Sequence, residues 1–136
     1  MQAQARRFCQ LAALLLALAT LMGAVGAHAL QPSLGAERYG VLQTAVHYQF
    51  FHALGLLILG VLLDRRPVRA LRAAAWLLFA GVLLFCGSLY LLLAGAPRML
   101  GVLTPIGGLA LIAGWIVAAV ALGAGMSTGT TAGGQP

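Results

Sequence analysis

The side chains able to do chemistry are concentrated in a few places, and the densest is TAVHYQFFHAL, Thr44 to Leu54. Two histidines, a tyrosine, a glutamine and a threonine head a run that is otherwise Leu, Ile and Gly. On a helix advancing about 100° per residue, Thr44, Tyr48, His52 and Gly55 fall on one stripe. Gln49 borders that stripe, and His47 points away from it. Cys86, Ser88 and Tyr90 recur close together further on, and His28 and Thr104 stand alone among apolar neighbours.

Several chemistries suit this set. Polar side chains in hydrocarbon face other helices or a wet cavity, because facing lipid leaves them unsatisfied. The first reading is therefore an interhelical hydrogen-bond network around His28, Tyr48, Gln49, His52 and Ser88, each contact contributing about 0.6 kcal/mol. The second is an outward-side polar pocket formed by His28, Thr44, Tyr48, Gln49, His52, Ser88, Tyr90 and Thr104. Such a pocket suits an ion, a proton or a small polar molecule, and histidine's ordinary pKa of about 6.5 would make it respond to pH. The third makes His28 and His52 axial ligands of a haem or metal. Zinc, however, draws three or four protein ligands, and the two carboxylates, Glu37 and Asp64, fall in loops on opposite sides. Ser88 beside a histidine imitates a nucleophile–base pair, yet no acid stands ready to orient the base. The expectation is a protein without cofactor or metal that is not an enzyme.

The elements that place these residues follow from composition. The 136 residues are 62% hydrophobic and 7% charged, with a mean hydropathy of +0.99. Such a chain cannot cover a water-soluble surface with polar groups. It suits the bilayer, where about 20 apolar residues per helix cross a core of roughly 30 Å. Phe8–Leu30, Ala45–Leu63, Ala73–Ala94 and Val102–Leu122 meet that test. A β-barrel would need alternating segments of roughly ten residues, and these runs are longer and do not alternate. The expected fold is all-α, a four-transmembrane-helix bundle. Residues 1–7 form its N-terminus, 8–122 the membrane domain and 123–136 a polar, disordered tail.

All eight basic residues are arginines. Arg6, Arg7, Arg65, Arg66, Arg69 and Arg72 flank one side of the predicted spans, and Arg38 and Arg98 flank the other. Six against two places both termini in the cytoplasm. The net charge of +6 is mostly this bias, so no nucleic-acid partner is implied. Arg65, Arg66, Arg69 and Arg72 are placed to attract anionic lipid headgroups. A second membrane protein or a second copy is the other partner class open to such a bundle.

The first segment also reads as a signal peptide. Arg6-Arg7 precede LAALLLALATL, and Ala27-His28-Ala29 imitates a cleavage site. Against removal of residues 1–29, the apolar run continues through Met22–Val25. Ala19, Gly23 and Ala27 also recur four apart, a spacing that suits close helix packing. Retention is the expectation. Gln31-Pro32-Ser33 is expected to end this helix, and QPSLGAERYGVLQ to form a short outer loop, partly helical along the interface. Gly107, Ala110, Gly114 and Ala118 form a second small-residue stripe. Cys9 and Cys86 fall near opposite ends of their helices, too far apart for a disulfide.

Taken in order, Gly26-Ala27-His28-Ala29-Leu30, Thr44-Ala45 with Tyr48-Gln49 and His52, Gly87-Ser88-Leu89-Tyr90, and Thr104–Gly108 with Ala113-Gly114-Trp115 form a recognisable series. It resembles the domain-of-unknown-function 423 family (DUF423) of small four-helix membrane proteins, over about residues 23 to 116. The resemblance implies a bacterial inner-membrane protein, or an organellar relative, in which the GAHAL-like segment belongs to a retained helix. It brings no catalytic or ligand-binding residues with it.

Overall fold

A computed structural model describes residues 1–124, which are helical with no strand among them. Helix α1, Ala3–Val25, passes through a π-helical turn, Gly26–Leu30, into α2, Gln31–Arg65. Helix α3 is Arg69–Leu93, and a 3₁₀ turn, Arg98–Val102, leads into α4, Leu103–Ala124. Among the described residues, three helical runs are long and apolar enough to cross a membrane: Ala3–Arg65, Arg69–Leu93 and Arg98–Ala124.

The first run doubles back on itself. Gly35 has φ 73° and ψ 164°, a conformation essentially confined to glycine. On either side of it, contacts pair early residues with late ones. The Gln2 amide donates to Asp64 Oδ1 at 2.6 Å, and Gln49 Nε2 donates to the Leu15 carbonyl at 2.8 Å. A Cβ on Gly60 would lie 2.8 Å from Cys9 Sγ, and one on Gly23 would lie 3.4 Å from Val46. One partner's number falls as the other's rises, so α1 and the part of α2 beyond Gly35 run antiparallel.

The stop at Pro32 and the start of the second span are corrected. Pro32 does not end the first helix, because in a helix's first turn its missing N–H has no partner to lose. The expected outer loop is helical on both sides of Gly35, so α2 is already formed about two turns before Thr44. Arg6 and Arg7 likewise sit on α1 rather than in a separate N-terminal segment. Gly123 and Ala124 close α4. The rest of the expected polar tail lies outside the described residues.

The α3 end is a glycine stop. Gly95, at φ 92°, follows Ala94. The Ala96 amide donates to the Leu91 carbonyl at 3.0 Å, and the Gly95 amide to Leu92 at 3.2 Å. These are the two bonds of a Schellman motif. The carbonyl of Leu93 accepts from Arg38 Nη2 at 2.6 Å instead, which ties the early part of α2 to this end of α3.

Helices α3 and α4 pack backbone to backbone. A Cβ on Gly107 would lie 2.4 Å from the Phe85 nitrogen, while Gly81 meets Leu111 and Gly114 meets Leu78. Small residues give this close approach in lipid, where hydrophobic exclusion between helices is weak. Trp115 of α4 closes over Gly55 of α2. Phe8 of α1 meets Trp76 of α3 edge-on at 5.1 Å. The middle of the bundle is therefore α2 and α3, with α1 and α4 on their flanks. Phe8, Ala12, Leu56, Leu71, Leu78, Val82 and Leu111 belong to one buried core.

Six arginines gather at one end of this arrangement. Arg72 Nη1 reaches Gln4 Oε1 at 3.3 Å, joining the start of α3 to the start of α1. Arg38 and Arg98 stand at the other end.

Candidate functional site

The buried face of α2 is Leu42, Ala45, Gln49, Ala53, Leu56, Gly60 and Leu63. This lies one residue away from the stripe expected to turn inward. Thr44 and Tyr48 are exposed, Tyr48 by 44%, whereas Gln49 is 1% exposed. The reason is partner demand. Thr44 donates its hydroxyl to the Gly40 carbonyl of its own helix at 3.0 Å and needs no neighbour. A glutamine amide carries donors and an acceptor that its own helix does not satisfy, so it turns toward other helices.

The eight expected pocket residues consequently do not line one cavity. They separate into two closed links, one open cleft and two lone positions. The first link is centred on Gln49. Its Nε2 donates to the Leu15 carbonyl at 2.8 Å, and its Oε1 accepts from the Tyr90 hydroxyl at 2.8 Å. One amide thus joins α1, α2 and α3. Sequence reasoning placed Gln49 and Tyr90 near the cluster but missed Leu15, because a backbone carbonyl has no signature in the sequence.

The second link joins α3 to α4. Ser88 Oγ lies 2.9 Å from the Phe85 carbonyl and 2.7 Å from Thr104 Oγ1. Ser88 has one hydroxyl proton, and a carbonyl can only accept. With that proton on Phe85, Thr104 donates to Ser88. Ser88 is 2% exposed, and neither of its partners is a histidine, so the serine–histidine pairing is not formed. Among the described residues, no buried side-chain nitrogen or oxygen lacks a hydrogen-bond partner. Every side-chain nitrogen and oxygen in the two links therefore has a partner within the protein.

His52 lies half-buried beside these links rather than within them. Its Nδ1 is 2.7 Å from the Tyr48 carbonyl. The carbonyl accepts, so Nδ1 carries a proton. The imidazole stacks on Tyr48 with centroids 5.5 Å apart and sits 6.3 Å from Trp115. Tyr48 in turn stacks on Phe85 at 4.6 Å. Tyr48, Phe51, His52, Phe85, Gly108, Leu111, Ile112 and Trp115 line a cleft of about 410 Å³. Phe51, Phe85 and Trp115 were absent from the expected site, since aromatic residues in an apolar run do not stand out from packing residues.

His28 is exposed on the π-helical turn. Gly26 beside it abuts Leu42 and Tyr39, so His28 is level with about residue 40 of α2. His52 is about 18 Å further along the axis at roughly 1.5 Å per residue. The two histidines cannot share an ion or a haem.

Depth is also corrected. Along the part of α2 beyond Gly35, His52 is about 21 Å from Arg38 and about 20 Å from Arg65 at roughly 1.5 Å per residue. It lies midway between the charged ends rather than toward the outward side, where the pocket was expected.

Comparison with known proteins agrees with a membrane protein. Residues 22–108 match the family model described as "Protein of unknown function (DUF423)". The "UPF0382 membrane protein SH2409" of Staphylococcus haemolyticus is 47% identical over 105 residues, covering 74% of this chain and 85% of that protein. YwdK of Bacillus subtilis, a UPF0382 membrane protein, is 42% identical over 76% of this chain and 85% of its own length. The Escherichia coli "UPF0382 inner membrane protein YgdD" is 40% identical over 69% of this chain and 72% of its own length. No solved structure matches the chain. Apolar helices long enough to span a bilayer, together with a family match over most of their length, lead to one assignment: the chain belongs to the DUF423 family and is an integral protein of the bacterial inner membrane.

Proposed function

We propose that this chain crosses the membrane four times with both termini in the cytoplasm, and that it is a structural or partner-binding membrane protein rather than an enzyme. The reversal at Gly35 and the antiparallel pairing of α1 with α2 support four crossings. Six arginines at one end against two at the other support the orientation. Residue 1 onward is retained in this reading, because Phe8, Ala12 and Leu15 fill the core and the Leu15 carbonyl satisfies Gln49.

The observation that carries the functional reading is the closure of the two polar links. Gln49 and Ser88, the buried polar side chains of the described residues, have every side-chain nitrogen and oxygen hydrogen-bonded within the protein, which supports a packing role. Arg65, Arg69 and Arg72 are placed to hold anionic headgroups at the cytoplasmic face. The partner is a second membrane protein or a second copy, meeting the bundle through its exposed apolar faces.

Reporter fusions at each terminus and at insertions after Gly35 and Met99 test the topology. Both termini should report cytoplasmic and both insertions external; termini on opposite sides would overturn the reading. For the role, Ser88→Ala should complement any deletion phenotype in proportion to the protein that accumulates. Complete loss of complementation at wild-type abundance would indicate catalysis at Ser88.

A further inference from the structure

We propose that the cleft between α2 and α4 binds a lipid-soluble hydroquinone, a flat ring bearing hydroxyl donors that arrives from the bilayer. This goes beyond the packing role above and does not depend on which way the termini face.

The cleft opens toward lipid. At its mouth Phe51 is 66% exposed, Ile112 57% and Trp115 44%. Its volume of about 410 Å³ falls within the roughly 300–1,000 Å³ of small-molecule sites. Gly108 forms part of the wall without a side chain; Phe85 and His52 stack on Tyr48 and, with Phe51 and Trp115, give the cleft an aromatic lining. Flat aromatic walls of this kind favour a ring over a flexible acyl chain, because offset stacking adds to area burial.

His52 specifies the polar end of the ligand. Its Nδ1–H is committed to the Tyr48 carbonyl, so in its neutral form the ring presents Nε2 as a hydrogen-bond acceptor. Among the described residues no donor reaches Nε2. Midway between the charged ends, water is not at hand to supply one. Ester and ketone groups of lipids only accept and do not match it. An anion meets a lone pair and is disfavoured. A ring hydroxyl both donates to Nε2 and stacks on the aromatic wall. No electron transfer is part of the proposal; the site binds.

The test uses the full chain in lipid nanodiscs with Trp76→Phe, which leaves Trp115 as its one indole. A decyl-substituted benzohydroquinone is titrated anaerobically against Trp115 fluorescence, beside its dimethyl ether, which keeps the ring and tail but has no donor. The hydroquinone should quench saturably and bind about 5–10-fold tighter than the ether, the ratio one hydrogen bond supplies. His52→Phe should abolish that preference and His52→Gln, which restores an acceptor, should recover part of it. Gly108→Leu, whose Cβ meets only ordinary contacts with Phe85 at 3.7 Å, should fill the cleft and weaken both probes. Thermal melting confirms that each variant compared is folded. Absence of saturable quenching, equal affinity for the two probes, or a Gly108→Leu protein that binds normally would overturn the proposal.

Discussion

The Tyr90 hydroxyl donates to Gln49 Oε1 at 2.8 Å, joining residues 41 positions apart in the chain. The same Gln49 side chain donates from its nitrogen to Leu15, so α1, α2 and α3 meet at one amide. Hydrogen bonds between membrane helices contribute modestly, about 0.6 kcal/mol on average and up to about 1.7. What this one supplies beyond stability is register: sliding any of the three helices by a turn breaks it.

Gln49→Leu removes both bonds and leaves the Tyr90 hydroxyl without its partner. It should lower unfolding free energy by about 1–2 kcal/mol, about twice the effect of Tyr90→Phe. Equilibrium unfolding in mixed micelles measures both. Equal effects would mean that the Leu15 bond contributes nothing.

The α3–α4 contact predicts a sharp contrast between two glycines. Gly107→Val would place Cβ 2.4 Å from the Phe85 backbone nitrogen, which cannot move aside as a side chain can. A loss of about 3 kcal/mol is expected. Gly87→Ala meets nothing within 4 Å and should stay within about 0.5 kcal/mol of the parent. Melting temperatures of the pair decide it.

Gly35 makes a separate prediction at the turn. Its φ of 73° and ψ of 164° strain any residue with a Cβ, so Gly35→Ala should cost about 1–3 kcal/mol although no atom lies near the new methyl. Gly40→Ala also meets nothing within 4 Å, lies in the helix and should be neutral within about 0.5 kcal/mol. The same melting assay separates strain from crowding.

Retention of α1 is tested by mass. The intact protein extracted from membranes should contain residues 1–29. A mass lower by that segment would contradict the account, since the removed segment holds Phe8, Ala12 and Leu15 of the core and the acceptor for Gln49 Nε2.

Much of this fold is legible in the sequence. Long apolar runs announce helices because a membrane leaves the backbone few alternatives, and Gly95-Ala96-Pro97 announces the end of α3. The ends of α1 and α2 are less visible. Pro32 looks like a stop but occupies a first turn, where it is tolerated. Gly35, the residue that breaks the helix, resembles many glycines that do not.

The polar face was read one residue out of place for a related reason. Thr44, Tyr48 and His52 are polar, and polarity alone suggests the interior. Thr44 satisfies itself on its own backbone, however, and Tyr48 and His52 carry flat rings that rest on the flank of the bundle. Gln49 has unmet needs at both ends of its amide and takes the inner position. The better guide is the number of hydrogen bonds a side chain must find on another helix. Ser88 fits that rule only in part, since one bond stays within α3 and the other reaches Thr104.

The central claim is that the buried polar residues hold helices to one another, and a double-mutant cycle on Gln49→Leu and Tyr90→Phe tests it most directly. Unfolding free energies of the parent, both single variants and the double variant should give a coupling of about 0.6–1.7 kcal/mol. Effects that add within about 0.3 kcal/mol would show that the two side chains do not support each other, and would contradict the account.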